Sequence, residues 1–203
     1  EDRRHIQDED VRAIRRAVTI PLNLEMAATD EMLKFALKIR PEWVCIVPEK
    51  RREVTTEGGL DLVKGKARIS KVTQRLERAG IRVSLFVEPS LQAVKLSYQM
   101  GASAVELHTG AYCLATQSGA KPKAKKELAR IEQACREAVK LKIGAHVGHG
   151  FDYENVRPVA ELERENRDPL VEEFNIGHAI VCRAALVGLE RATREMLASL
   201  HAP

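Results

Sequence analysis

Glu25 closes an apolar run at 19–26 and stands two residues from Asn23, so in an extended strand both side chains share one face. A carboxyl held on the dry face of a strand resists ionisation. Its proton affinity then moves toward neutral pH, where it serves as a general base. The same group could instead be structural, paired with a lysine or an arginine. His149 lies between Gly148 and Gly150, and flanking glycines let backbone approach a ligand while the imidazole faces it. That arrangement suits a neutral-pH acid or base, and it also suits a plain turn histidine. Gly177-His178-Ala179 follows the apolar Phe174-Asn175-Ile176 and opens a helical pattern. Backbone N–H groups at such a start bind phosphate, although a glycine there is also ordinary turn chemistry.

The most concentrated chemistry is the stretch 48–59, Pro48-Glu49-Lys50-Arg51-Arg52-Glu53-Val54-Thr55-Thr56-Glu57-Gly58-Gly59. It follows the apolar Trp43-Val44-Cys45-Ile46-Val47 and crowds acids, bases and hydroxyls before a Gly-Gly breaker. A plain strand-to-helix connection needs only about 2–6 residues. The stretch reads either as a substrate-holding loop or as a solvated surface loop. Lys50 could in principle form a Schiff base, but its neighbours carry charges of both signs, which makes it a poor candidate for a depressed pKa. His146 and His149 have a spacing that invites a metal pair. No Glu-x-x-His motif or carboxylate triad accompanies them, and no metal is expected.

These residues need elements to position them. Apolar periodicity predicts helices at 8–18, 29–40, 60–79, 90–100, 123–142, 152–162 and 177–200. Strands are expected at 19–26, 43–47, 81–87, 104–108, 143–147 and 173–176. Strand and helix alternate throughout, and the strands are nearly continuous in apolar character. That pattern means a parallel sheet covered by helices. In such folds the site lies beyond the carboxyl ends of the strands. Glu25, the 48–59 stretch, Glu88, His108-Thr109, His149 and His178 all fall there. A closed (β/α)8 barrel has eight such units in about 250 residues, and six are legible here. No Gly-x-Gly-x-x-Gly turn supports the alternative, an open dinucleotide-binding sheet. The expected fold is α/β, a (β/α)8 barrel with extra helices in one domain over 1–203, without its first two strands.

Composition narrows the function classes. The 203 residues are 44% hydrophobic, enough for one substantial core, and the net charge of +4 is mixed along the chain. The basic run at 121–126 has no aromatic neighbours for base stacking, so no nucleic-acid partner is expected. A mild positive balance suits anionic substrates. Four dispersed cysteines without a Cys-x-x-Cys pair read as reduced thiols of a cytoplasmic protein. No apolar run approaches the ~18 residues of a membrane span, so no membrane partner is expected.

Taken together, several segments resemble the pyridoxine 5′-phosphate synthase family. They are Glu1-Asp2-Arg3-Arg4-His5-Ile6, Asn23-Leu24-Glu25-Met26, Pro48-Glu49-Lys50-Arg51 with 53–59, Glu106-Leu107-His108-Thr109-Gly110, Gly148-His149-Gly150 and Asn175-Ile176-Gly177-His178-Ala179. The resemblance implies a TIM barrel with extra helices that assembles as a homo-octamer of dimers. It implies condensation of 1-deoxy-D-xylulose 5-phosphate with 3-amino-2-oxopropyl phosphate, yielding pyridoxine 5′-phosphate, inorganic phosphate and water, with no metal or organic cofactor. It makes Glu25 the proton-accepting glutamate and His149 the proton-donating histidine. His5 and Thr55 become contacts to the first substrate, and Gly150, Gly177 and His178 contacts to the second. The loop beginning Pro48, Glu49, Lys50, Arg51 becomes an active-site lid. The family's first two strands carry further catalytic and binding residues that do not precede Glu1. The expectation is therefore an N-terminally incomplete barrel, inactive at this length. The competing readings are another phosphate-sugar barrel aldolase or lyase and a non-catalytic phosphate-ligand binding protein.

Overall fold

A computed structural model describes residues 6–48, 58–166 and 168–201. Its elements run α1 (Asp8–Ala17), β1 (Asn23–Ala27), α2 (Asp30–Ile39), β2 (Trp43–Val47), α3 (Lys66–Arg78), β3 (Arg82–Val87), α4 (Leu91–Gln99) and β4 (Ala104–His108). They continue as α5 (Gly110–Gln117), α6 (Lys121–Lys140), β5 (Gly144–Gly148), α7 (Arg157–Ala160), β6 (Glu173–Asn175), α8 (His178–Val187) and α9 (Leu189–His201). The six strands are all parallel and pair in chain order. The sheet curls into a half-barrel with helices around it. Its first and last strands come close enough for Asn23 Nδ2 to donate to Glu173 Oε1 at 2.9 Å.

Side-chain alternation sorts the two faces of the sheet. Val44 and Ile46 of β2, Val83, Leu85 and Val87 of β3, Val105 and Leu107 of β4, and Ala145 and Val147 of β5 are all fully buried. They point out into the helical layer, against Leu76, Val94, Ile131 and Ala138. Each buried Val, Leu or Ile contributes about 1.5–3 kcal/mol, so this outer seam holds the sheet against its helices. The alternate positions point inward and carry a different chemistry: Asn23, Glu25, Cys45, Ser84, Glu106, His108, His146, Glu173 and Asn175. The apolar core lies outside the sheet, and the polar groups line its concave face.

Local signals set several element ends. Thr29 accepts the Met32 N–H at 3.1 Å and caps α2. Thr29→Ala should therefore lower stability by about 1 kcal/mol, measured by denaturant unfolding. Gly188, at φ 84°, divides the expected last helix into α8 and α9.

Four other expectations need correction. The strand expected at 19–26 begins only at Asn23, opposite Trp43 of β2, and of the stretch before it Leu22 O accepts the Trp43 N–H at 3.1 Å. The helix expected at 60–79 begins only at Lys66. Gly59 lies hard against the Val87 backbone, and the Leu60 N–H donates to Phe86 O at 2.8 Å, which ties this stretch to the sheet. At 152–162 only 157–160 is helical, because Asp152 Oδ1 accepts the N–H groups of Glu154 and Asn155 and forms a side-chain turn. The stretch between the strand expected at 104–108 and the helix expected at 123–142 is not a plain loop (the sequence suggests one around Gly119 and Pro122): it holds helix α5, packed on α6.

Among the described residues, no helix is long and apolar enough to cross a membrane.

Candidate active site

The inward side chains form layers. Nearest the amino ends of the strands, the Arg82 guanidinium lies 4.2 Å over the Trp43 ring. Trp43 packs edge-on against His146, and His146 Nδ1 stands 3.8 Å from Glu173 Oε1. Burial holds the His146 imidazole below its ordinary pKa despite that carboxylate. His146 is therefore a packed, neutral strand histidine and does not pair with His149. Among the described residues, no cluster of three or more His, Cys, Asp or Glu side chains is placed to hold a metal ion.

The middle layer contains two carboxyls. Glu106 on β4 is 4% exposed. Its Oε2 accepts from Asn175 Nδ2 of β6 at 2.8 Å and from the Cys45 thiol of β2 at 3.2 Å. Burial pushes the Glu106 carboxyl up to about 7, and the nearby Glu25 and Glu173 charges push in the same direction. Burial and the Glu106 charge drive the Cys45 thiol far above its ordinary value, so it remains a neutral donor. Glu25 faces the same concavity from β1. Water reaches its surface, yet protein surrounds the carboxyl on most sides, and that desolvation raises its pKa. Among the described residues Glu25 has no lysine or arginine in ion-pair reach.

Gly148 makes room for this layer. A Cβ at that position would collide with Glu106 Oε1 and crowd Asn175 Cβ at 3.2 Å. Gly148→Ala should therefore cost about 1–3 kcal/mol of stability by overpacking and should displace Glu106. Denaturant unfolding and turnover, measured on the same sample, check both effects.

The upper layer holds the histidines. His149 has φ 79°, a left-handed backbone that is strained for a residue with a side chain. Thr109 lies 2.8 Å from Gly148 O and 2.7 Å from His149 O through its hydroxyl, which pins that backbone. Gly150 follows at φ 90°, and a Cβ there would meet Cys113 Cβ at 2.9 Å, so both conformation and space demand glycine. The His149 and His108 rings meet edge to face with centroids 4.7 Å apart. Burial lowers the His149 pKa, and His108 adds to the effect. His149 therefore rests neutral at neutral pH. Once loaded with a proton, it is a stronger donor than a free imidazole.

Gly177 caps the amino end of α8, and the space where its Cβ would stand is open to 4 Å. The first N–H groups of this ten-residue helix have no intrahelical partners, and the dipole there favours an anion. His178 is exposed on the first turn, with Nε2 3.5 Å from Cys182 Sγ.

The structure thus places Glu25, His149, Gly150, Gly177 and His178 along the concave face or its carboxyl-end rim. Pro48 immediately follows β2 at the same rim. His5, Thr55, Glu49, Lys50 and Arg51 lie outside the described residues. Sequence reasoning missed Glu106 as a site residue, together with its partners Cys45 and Asn175. One signal was available: an acid at the centre of the apolar strand Ala104–His108.

Comparison with known proteins bears on the family and the fold. The family model described as "Pyridoxal phosphate biosynthesis protein PdxJ" matches residues 1–202. A pyridoxine 5′-phosphate synthase of Syntrophotalea carbinolica is 50% identical over 196 residues, covering 97% of this chain and 78% of that protein. The synthase of Trichlorobacter lovleyi is 49% identical over 203 residues, covering 100% of this chain and 81% of that protein. Among solved structures, an HpcH/HpaI aldolase/citrate lyase family protein from Burkholderia cenocepacia superposes with a TM-score of 0.53 at 13% identity, over 95% of this chain and 80% of that one. A lactate oxidase from Pediococcus acidilactici gives 0.58 at 11% identity, over 95% and 56%. These structural likenesses concern the fold alone. With the family model spanning nearly every residue and half of all positions identical to curated relatives, the chain belongs to the PdxJ family of pyridoxal phosphate biosynthesis proteins.

Proposed function

We propose that the concave face is where 1-deoxy-D-xylulose 5-phosphate and 3-amino-2-oxopropyl phosphate condense to pyridoxine 5′-phosphate, inorganic phosphate and water. The observation that carries this reading is the pair of carboxyls with raised pKa, Glu25 and Glu106, facing one polar concavity below His149. Joining an amine to a ketone, losing phosphate, adding water, closing the ring and dehydrating it are mainly proton transfers. They need groups that can hold and release a proton: burial shifts both carboxyls up, Glu106 to about 7, and shifts the His149 imidazole down.

The roles follow from position and charge. Glu25, water-accessible and reluctant to ionise, takes protons from carbon or nitrogen as the base. Glu106, fixed by Asn175 and Cys45, has a proton affinity matched to neutral pH and holds or releases a proton deeper in the site. His149, neutral at rest, accepts a proton and returns it to a leaving oxygen. Gly150 and the amino end of α8, with Gly177 and His178, receive a phosphate group. His5, Thr55 and the loop from Pro48 complete the reading as contacts to the deoxyxylulose phosphate and a cover over the site.

The direct test supplies both phosphorylated substrates to the full-length protein and follows pyridoxine 5′-phosphate fluorescence together with phosphate release. Product and phosphate are expected in equal amounts. A folded protein that forms neither, beside an active relative in the same assay, would overturn the reading.

A further inference from the structure

Glu88 and His108 belong to the same rim but have no part in the roles above. Glu88 immediately follows β3, and its carboxylate gathers three groups. His108 Nδ1 lies 3.1 Å from Oε1, the Gly59 N–H donates to the carboxylate, and the Arg130 guanidinium of α6 stands 3.9 Å from Oε2. The His108 hydrogen bond and its charge hold the Glu88 pKa below the ordinary carboxylate range. An ionised carboxylate only accepts, so the proton on this bond sits on His108 Nδ1. That fixes the imidazole tautomer and ring plane. Phe86 clamps the same ring edge-on, with centroids 5.3 Å apart, and the ring is 9% exposed. Its remaining nitrogen, Nε2, is buried without a hydrogen-bond partner among the described residues. The face and edge left over meet His149.

We propose that Glu88 and His108 are positioning residues for His149: the carboxylate locks the His108 ring, and the locked ring sets the orientation of the His149 imidazole. The inference rests on the reading of His149 as the proton-transferring histidine. Thr109 fixes the His149 backbone from one side, but a left-handed backbone alone leaves the side-chain torsions free. The His108 ring supplies the missing wall. Among the described residues, the groups that face His149 from the packed elements are His108 of β4, with Glu88 and Arg130 behind it, and Cys113 of α5. Burial pushes the Cys113 thiol up to about 12, so it adds no charge at neutral pH. His108 is therefore the neighbour whose charge bears on His149, and a proton on His108 opposes one on His149. Because Glu88 also accepts from Gly59, the hub joins the end of the 48–59 stretch to the histidine pair.

The test uses the full-length protein with ring-labelled histidine, in Glu88→Gln and His108→Gln forms, reading kcat, KM and the NMR titration midpoint of His149. Both variants should lower kcat by roughly tenfold to 10²-fold, because the loss is one of orientation, with KM within about twofold. In His108→Gln the His149 midpoint should move up, because the neighbour that opposes its proton is gone, and in Glu88→Gln it should move away from the unmodified value. Glu88→Gln keeps the stacked rings, so a packing role alone would leave its midpoint and kcat at the unmodified values. That result in folded Glu88→Gln protein would overturn the inference, even if His108→Gln failed to fold. A midpoint that moves in a protein whose unmodified form makes no pyridoxine 5′-phosphate would support the pair and overturn the synthase reading. Product formation with an unmoved midpoint would do the reverse.

Discussion

Glu25→Gln should reduce product formation by about 10²–10⁴-fold with little change in substrate affinity, read as a fall in kcat at saturating substrates. The substitution keeps the size of the side chain and removes only its ability to take a proton. Stability should not fall with activity. Partial desolvation raises the Glu25 pKa in the folded chain, so above the unfolded-state value an ionised Glu25 opposes folding. Glutamine removes that opposition, and the variant should unfold at the same denaturant concentration as the unmodified protein, or a slightly higher one. Turnover close to the unmodified value in folded Glu25→Gln protein would remove Glu25 from the base role and favour a phosphate-ligand binding protein.

Glu106→Gln should have an effect of similar size on kcat, about 10²–10⁴-fold, together with a stability signature of its own. The carboxyl titrates near 7 in the folded protein against an ordinary 4.5. Below pH 4.5 it is protonated in both states and has no effect. As pH rises toward 7, the unfolded chain releases a proton that folded Glu106 retains, so stability falls across that window and levels off above it. The full difference is at most about 3 kcal/mol, and relaxation around the site will reduce it. Glutamine does not ionise. The stability advantage of Glu106→Gln over the unmodified protein should therefore grow between pH 5 and 7 and then stay constant. Denaturant unfolding at half-unit pH steps measures it, and parallel curves for the two proteins would show that Glu106 is not the buried, proton-holding acid.

These two variants differ in how visible their residues were beforehand. Glu25 was legible because it ends an apolar run and shares a face with Asn23, both consequences of the two-residue period of a strand. His149 was legible because glycine on either side marks a turn after a strand. Continuous apolar runs likewise indicated the parallel sheet, since a strand buried by helices must be apolar at successive positions. The length of α3 was less legible. Helical periodicity continues back to Leu60, but Gly59 on the Val87 backbone and the Leu60 hydrogen bond to Phe86 capture that segment for the sheet. Helix α5 was hidden because it opens on a glycine and depends on α6 for its burial.

The amino-acid sequence alone determined the order of the six strands, their apolar character, and the end-of-strand positions of Glu25, His149 and the Gly177-His178 turn. Each follows from local periodicity or from the conformational freedom of glycine. The tertiary structure alone decided that Cys45 and Asn175, 61 and 69 residues from Glu106, would share its carboxylate. It also decided that Glu88 would lock His108 against His149. Those meetings depend on the curl of the sheet and the register of non-neighbouring strands, which are set by packing across the whole chain and leave no periodic trace within any one segment. The protonation behaviour of the site follows from the same cause. Desolvation of Glu106 comes from groups that converge only when the sheet closes around it.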